Sequence, residues 1–150
     1  MKVLQWKRLP QCEQTEKQLT RNYNTDAGLD IYTTTDIVIR AKESQIFSTG
    51  IAVDIPVGYV GLVRSRSGLG FKNDITAFHG TVDAGFHGEL KVKLFNNGYD
   101  PYYVKKGDKI AQLVIVECFT GETEEVEDFP LDIENKEKIR GANGFGSSGN

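Results

Sequence analysis

The sequence predicts an all-β domain, and three observations carry the prediction. β-Branched runs separated by Gly, Pro and Asp turn residues fill the chain between residues 31 and 119. One segment, residues 88–95, alternates strictly between apolar and charged positions. No window of about 12 residues shows a convincing helical stripe outside the ambiguous stretch at residues 11–21. Short strands at regular spacing suggest a sandwich, barrel or jelly roll. Sixteen glycines against four prolines supply tight turns rather than low-complexity sequence, and 150 residues suffice for one substantial core.

Taken in order, Ile37-Val38-Ile39, residues 46–55 and residues 57–63 are the first β-branched runs. In residues 88–95 the alternation puts Leu90, Val92 and Leu94 on one face, and Glu89, Lys91 and Lys93 on the other. Residues 108–116 are almost unbroken apolar, which predicts a strand covered on both faces by a second sheet or another subunit. Gln112 is the one polar residue inside that run. A buried amide without partners costs about 1–3 kcal/mol, so Gln112 is expected to join a structural network or touch a ligand.

Charge narrows the function classes. Eighteen basic residues against 21 acidic ones give a net charge of −3, unlike proteins held mainly by nucleic-acid phosphates. Eight acids against three bases in residues 121–140 concentrate negative charge there and leave the rest of the chain at +2, able to hold local sites for an anion. No apolar run approaches the roughly 20 residues of a membrane span, and the first eight residues lack a signal-peptide core. Cys12 and Cys118 form no CxxC and read as reduced thiols. The expectation is a soluble cytoplasmic protein. Residues 140–150, rich in Gly with one Arg, one Phe and two Ser among them, suit either a frayed end or a segment that orders over a ligand.

Four clusters could carry chemistry. Ala27-Gly28-Leu29-Asp30-Ile31 sets an Asp just after a Gly turn at the start of a strand. Arg64-Ser65-Arg66-Ser67-Gly68-Leu69-Gly70 follows an apolar strand, where a turn aiming free N–H groups beside an Arg suits an anion. Gly80-Thr81-Val82-Asp83-Ala84-Gly85-Phe86-His87-Gly88 presents an acid and an aromatic ring, and the tail is the fourth cluster. His79 and His87 lack a third ligand at metal spacing and read as surface histidines.

In this order the clusters resemble the five signature motifs of the homotrimeric deoxyuridine triphosphatase (dUTPase) family. The motifs are residues 27–31, 66–70, 80–88, 107–113 (Gly-Asp-Lys-Ile-Ala-Gln-Leu) and 140–149. Each is weak alone, and five in sequence are specific. The resemblance implies a jelly-roll-like β-barrel subunit over residues 1–135, assembled as a homotrimer. A flexible tail, residues 136–150, would close over a neighbouring subunit's site. The reaction implied is hydrolysis of dUTP to dUMP and pyrophosphate with Mg²⁺, which keeps uracil out of DNA and supplies dUMP for thymidylate synthesis. Water attacks the α-phosphorus, so catalysis is mostly positioning and charge stabilisation.

By resemblance Asp83 orients and deprotonates the water. Arg66, Ser67 and Gly68 hold the inner phosphates, and Gln112 faces them. Backbone groups around Thr81 and Val82 read uracil, while Phe86 lies beneath the deoxyribose. The main chain at Lys91 approaches the nucleotide. Arg140, Ser147 and Ser148 bind the γ-phosphate, and Phe145 stacks on uracil. Asp30 at most touches metal-bound water, since Mg²⁺ keeps phosphate oxygens and several waters. Phe86 departs from the family's usual Tyr, losing a phenolic hydrogen bond while keeping the ring that crowds a ribose 2′-OH. Ser65 and Arg64 are smaller departures with no expected consequence. Two alternatives stand beside this reading. A dCTP deaminase-like enzyme would need a Glu where this chain has Lys93, and a regulator-binding protein would use the same scaffold. Partners are thus dUTP, its products and further copies of the chain, with no membrane and no stable nucleic-acid complex.

Overall fold

The computed structural model describes residues 3–129. The chain divides into a unit of Met1–Thr120 and a second unit from Gly121 onward. Of the second unit residues 121–129 are described, and these form no helix or strand. The expected boundary at residues 135/136 and the tail beyond it lie outside the described residues.

The first unit is built of strands, as the patterning predicts. One sheet has the order β2-β11-β6-β8, with β2 Gly28–Tyr32, β6 Tyr59–Arg64, β8 Thr81–Val82 and β11 Lys109–Glu117. A second has the order β4-β9-β7, with β4 Ser44–Phe47, β7 Ile75–Ala77 and β9 Val92–Asn96. Two antiparallel pairs complete it: β1 (Gln5–Arg8) on β5 (Ile51–Asp54), and β3 (Ile37–Ile39) on β10 (Tyr102–Val104). Inward-facing Ile31, Ile39, Phe47, Ile51, Val92, Leu94, Ile110 and Leu113 form a continuous apolar core. Burying each such side chain contributes about 1.5–3 kcal/mol.

The alternating segment behaves as expected on its apolar side, since Leu90, Val92 and Leu94 are all buried. Lys91 and Lys93 are exposed, but Glu89 is only partly so and is held by hydrogen bonds from residues 48–50. In β11 the core face is complete, with Ile110, Ala111 and Leu113 buried. Val114, Ile115 and Val116 are only partly covered. The ambiguous stretch at residues 11–21 is not helical. Its polar side chains are drawn into tertiary bonds instead. Gln18 Nε2 donates to the carbonyls of Tyr32 and Thr49 (2.7 and 2.8 Å), and its Oε1 accepts the Tyr32 N–H. Gln14 Nε2 likewise donates to Leu9 O and Gly50 O. Each such bond made inside the protein outweighs a weak helical stripe. The one helix among the described residues, α1 (Ser67–Asn73), buries none of its residues, so it leaves no apolar stripe to read.

Candidate active site

β2 and β11 lie side by side with Asp30 opposite Gln112, and β6 lies on the other flank of β11 with Arg64 opposite Gln112. Alternation buries Leu29 and Ile31 and turns Gly28 and Asp30 to the other face. Beyond β6 the chain runs through Ser65 and Arg66 into α1. These elements line a polar cleft of about 260 Å³ whose walls include Gly28, Asp30, Arg66, Ser67, Gly68 and Gln112. Loop residues Asn22 and Asp26 close its rim.

The cleft is cross-linked by charge. Asp30 Oδ1 accepts from Arg66 Nε at 3.1 Å, and Asp30 Oδ2 lies 2.6 Å from Lys109 Nζ. The carboxylate is mostly buried, while both cations remain partly open to solvent. Hydrogen bonding to Asp30 raises the Lys109 ammonium above its ordinary range, with burial opposing and the Asp30 charge reinforcing. Two cations share the one carboxylate of Asp30, so Arg66 is not neutralised one-to-one and keeps charge to offer a phosphate chain, although Asp26 adds a second acid at the rim. Gln112 Nε2 donates to Ser65 O at 3.0 Å, fixing the amide across the cleft floor. Gly28 is required beneath it, because a Cβ there would fall 2.0 Å from Gln112 Oε1. Ser65 also matters, contrary to the expectation of no consequence: its Oγ accepts the Ala77 N–H at 2.8 Å and its carbonyl holds Gln112. The hydroxyl joins the β6–α1 connection to β7.

The third cluster stands elsewhere. Val82 is buried against β6, and the exposed Asp83, Ala84 and Gly85 form a turn in which Phe86 N–H bonds to Asp83 O at 3.2 Å. Val82 pairs with Gly61, so Asp83 continues away from the level of Arg64, Gln112 and Asp30. Four residues along the strands and three strand spacings across them put Asp83 roughly 20 Å from Asp30. A general base must come within about 3 Å of its proton, directly or through one water. One chain therefore brings Asp30, Arg66, Ser67, Gly68 and Gln112 together, but not Thr81, Val82, Asp83 and Phe86 with them. The Phe86 ring is 48% exposed and leans over Gly88, where any Cβ would fall 2.6 Å from the ring.

Glu89 anchors the exit of that loop. Its carboxylate accepts from the Ser48 hydroxyl and from the N–H groups of Thr49 and Gly50 (3.2 and 3.1 Å), with Lys91 Nζ at 3.7 Å. Burial, the largest single influence, pushes its pKa up. The Ser48 and Gly50 hydrogen bonds, the Lys91 charge and the Thr49 hydrogen bond together outweigh it and hold Glu89 below the usual carboxylate range. His79 and His87 are exposed, His87 lying 3.0 Å from Asp54. Among the described residues no group of three His, Cys, Asp or Glu is placed to hold a metal. Arg140, Phe145, Ser147 and Ser148 lie outside the described residues.

Comparison with known proteins decides the family. The dUTPase family pattern matches residues 15–149. The chain belongs to the dUTPase family. A deoxyuridine 5'-triphosphate nucleotidohydrolase of Nocardia farcinica is 45% identical over 133 residues, 87% of this chain and 77% of that protein. The Saccharomyces cerevisiae enzyme of the same name is 41% identical over 87% of this chain and 86% of its own. Among solved structures, the dUTPase of Staphylococcus bacteriophage 80alpha with dUpNHpp is 35% identical, with a TM-score of 0.86 over 99% of both chains. A dUTPase variant from phage phi11 of S. aureus, described for its coordination of a structural Mg(II) ion, is 34% identical with a TM-score of 0.78, over 85% of this chain and 99% of that one. The predicted all-β, dUTPase-like fold is thus the observed one.

Reading the sequence missed Asn22 and Asp26 on the cleft rim, and Lys109, which braces Asp30 from beside the cleft. Lys109 was hidden by a register shift between Lys109 and Ala111, where β11 pairs Lys109 with Tyr32 but Ala111 with Ile31. Strict alternation would put Lys109 on the core face with Ala111 and Leu113. The irregularity re-aims it to the face of Gln112 and Asp30.

Proposed function

We propose that this dUTPase hydrolyses dUTP to dUMP and pyrophosphate at a site assembled from more than one copy of the chain. The reaction follows from the family. The shared site is supported above all by strand register, which sets Asp83 four residues along and three strands across from Asp30, roughly 20 Å from the Arg66 cleft in one subunit. A homotrimer in which the Asp83 loop of one subunit faces the cleft of another closes that gap. The half-covered outer face of β11, with Val114 and Val116, is the apolar surface such an assembly would bury.

In this reading Arg66, the Ser67 hydroxyl and the Gly68 N–H grip the inner phosphates, with the Gln112 amide beside them. Backbone groups at Thr81 and Val82 read uracil, consistent with a Val82 side chain turned into the core. The exposed Phe86 ring packs under the deoxyribose, and the main chain near Lys91 borders the nucleotide. Asp83 orients water for in-line attack on the α-phosphorus, takes its proton, and pyrophosphate leaves. The tail, residues 136–150, brings Arg140, Ser147 and Ser148 to the γ-phosphate and Phe145 over uracil. Both Asp30 oxygens are engaged by Arg66 and Lys109, so the residues fit Mg²⁺ carried on triphosphate oxygens and water, not a protein cage. When bound, Mg²⁺ neutralises phosphate charge. Free nucleotides as substrate agree with a cytoplasmic enzyme.

A dCTP deaminase is not favoured, because Lys93 is an exposed ammonium over the Phe95 ring and cannot serve as its acid–base Glu. A second, regulator-binding role has one support: the phage 80alpha relative is described as controlling transfer of virulence genes.

The test has two arms. Pyrophosphate release from each dNTP should be confined largely to dUTP, and release from all four alike would overturn the substrate assignment. Asp83→Asn chains and chains truncated before Arg140 should each be inactive, and co-refolding them should restore activity in roughly one site in four. No recovery in proven mixed oligomers would leave the hydrolase and put Asp83 and the tail on one chain; no recovery when Arg66→Ala replaces the truncation would remove the shared site.

A further inference from the structure

The geometry points to Lys109 as a positioning residue that acts through Asp30 to aim Arg66 at the phosphate chain. The inference rests on the dUTP reading above and goes beyond it, because Lys109 itself need not touch substrate. Three observations meet at its ammonium. Nζ lies 2.6 Å from Asp30 Oδ2, whose other oxygen receives Arg66 Nε at 3.1 Å. Nζ also donates to Asn22 Oδ1 at 3.0 Å, on the loop that forms the cleft wall. The Tyr32 ring backs the ammonium at 5.8 Å from its centroid.

The irregularity in β11 is what makes this arrangement, since a regular strand would turn Lys109 inward. Its consequence is electrostatic as well as geometric. With Lys109 present, the Asp30–Arg66 pair is one carboxylate shared by two cations, so Arg66 keeps positive charge to offer a phosphate. Without it, Asp30 neutralises Arg66 alone and is free to draw the guanidinium back from the cleft. A carboxylate held from both sides also keeps one rotamer, and with it one direction for Arg66.

Binding of dUMP, dUpNHpp and deoxyuridine to the full-length chain separates this role from a merely structural one. Lys109→Met should weaken dUMP and dUpNHpp about tenfold or more, the scale of a lost charge-assisted hydrogen bond, and leave deoxyuridine within about twofold. KM for dUTP should rise in step. Lys109→Arg should recover most of the loss, and Lys105→Met, an exposed charge away from the cleft, should change nothing. The decisive comparison is in an Asp30→Asn background, where Lys109→Met should have at most a small further effect, because the residue it acts through is gone. Equal losses for deoxyuridine and the phosphorylated ligands, or a full tenfold loss persisting beside Asp30→Asn, would overturn the inference. If Lys109→Met does not fold, Lys109→Gln must show the same pattern. Failure of the unsubstituted chain to bind dUpNHpp would strike the dUTP reading instead, so the two failures are distinct.

Discussion

The cleft around Asp30 and the loop carrying Asp83 are built in opposite ways. The cleft draws side chains from β2, the β6–α1 connection and β11 and fastens them by ion pairs and a side-chain amide hydrogen bond within one chain. The loop is exposed from Asp83 to Gly88 and is fastened at its ends, by Val82 in the sheet and by Glu89 on the turn at residues 48–50. In the reading proposed above, phosphate is held by fixed charge that one subunit supplies alone. In the same reading Asp83 and Phe86 need a surface that a second subunit and the nucleotide can cover. A loop sealed within its own subunit would have no such surface to offer.

The largest expected effect tests the loop. Asp83→Asn should leave dUTP binding within about tenfold and lower turnover at least 10²-fold, because the amide fills the same space but takes no proton. Near-normal kcat would remove Asp83 from the role of base. Next is the platform. The chain should prefer dUTP over UTP by roughly 10²-fold, and Phe86→Ala should reduce that ratio mainly by admitting UTP. Comparable hydrolysis of UTP by the unsubstituted chain would show that the ring does not guard the sugar.

The contrast between the regions also explains what could be read from the residues. Strand faces were legible where burial follows a period of two, as at Leu90, Val92 and Leu94. The motif residues of the cleft were legible because Gly, Ser, Arg and Asp at fixed intervals resemble a known pattern, and Gly28 has a steric reason in Gln112. Lys109 was not, since a register irregularity breaks the period that the reading relied upon. Glu89 looked like a solvated charge by alternation, yet three donors from a segment some 40 positions away hold it. Residues 11–21 looked faintly helical because their amides' true partners, at Tyr32 and Thr49, are distant in sequence. Long-range polar bonding leaves no local period.

A smaller effect probes the cleft from below. Gly28→Ala puts a Cβ 2.0 Å from Gln112 Oε1 and 3.0 Å from Gln112 Cβ, so the amide must leave the cleft floor. Overpacking of this kind costs about 1–3 kcal/mol. Affinity for dUMP should fall about tenfold while affinity for deoxyuridine holds, and titration of both ligands decides it. Unchanged dUMP binding would mean that Gln112 moves without consequence for phosphate.

The smallest effect concerns the loop's anchor and appears as a pH dependence of stability. Glu89 is held below its ordinary range in the folded chain, against about 4.3 when unfolded. Its carboxylate therefore stabilises the fold above the unfolded value, and that contribution is lost as pH falls toward and through the folded value. Glu89→Gln has no such contribution to lose: its Oε1 can still accept from Ser48, Thr49 and Gly50, but it carries no charge and its NH2 replaces the oxygen that faces the Lys91 ammonium. At pH 7 the variant should unfold at lower urea than the unsubstituted chain. As pH falls below about 5 and on through the lowered folded value the two midpoints should converge, because protonated Glu89 resembles the amide. A gap that stays constant across that range would mean that the anchor works by shape alone, and that the charge on Glu89 does nothing to hold the Asp83 loop.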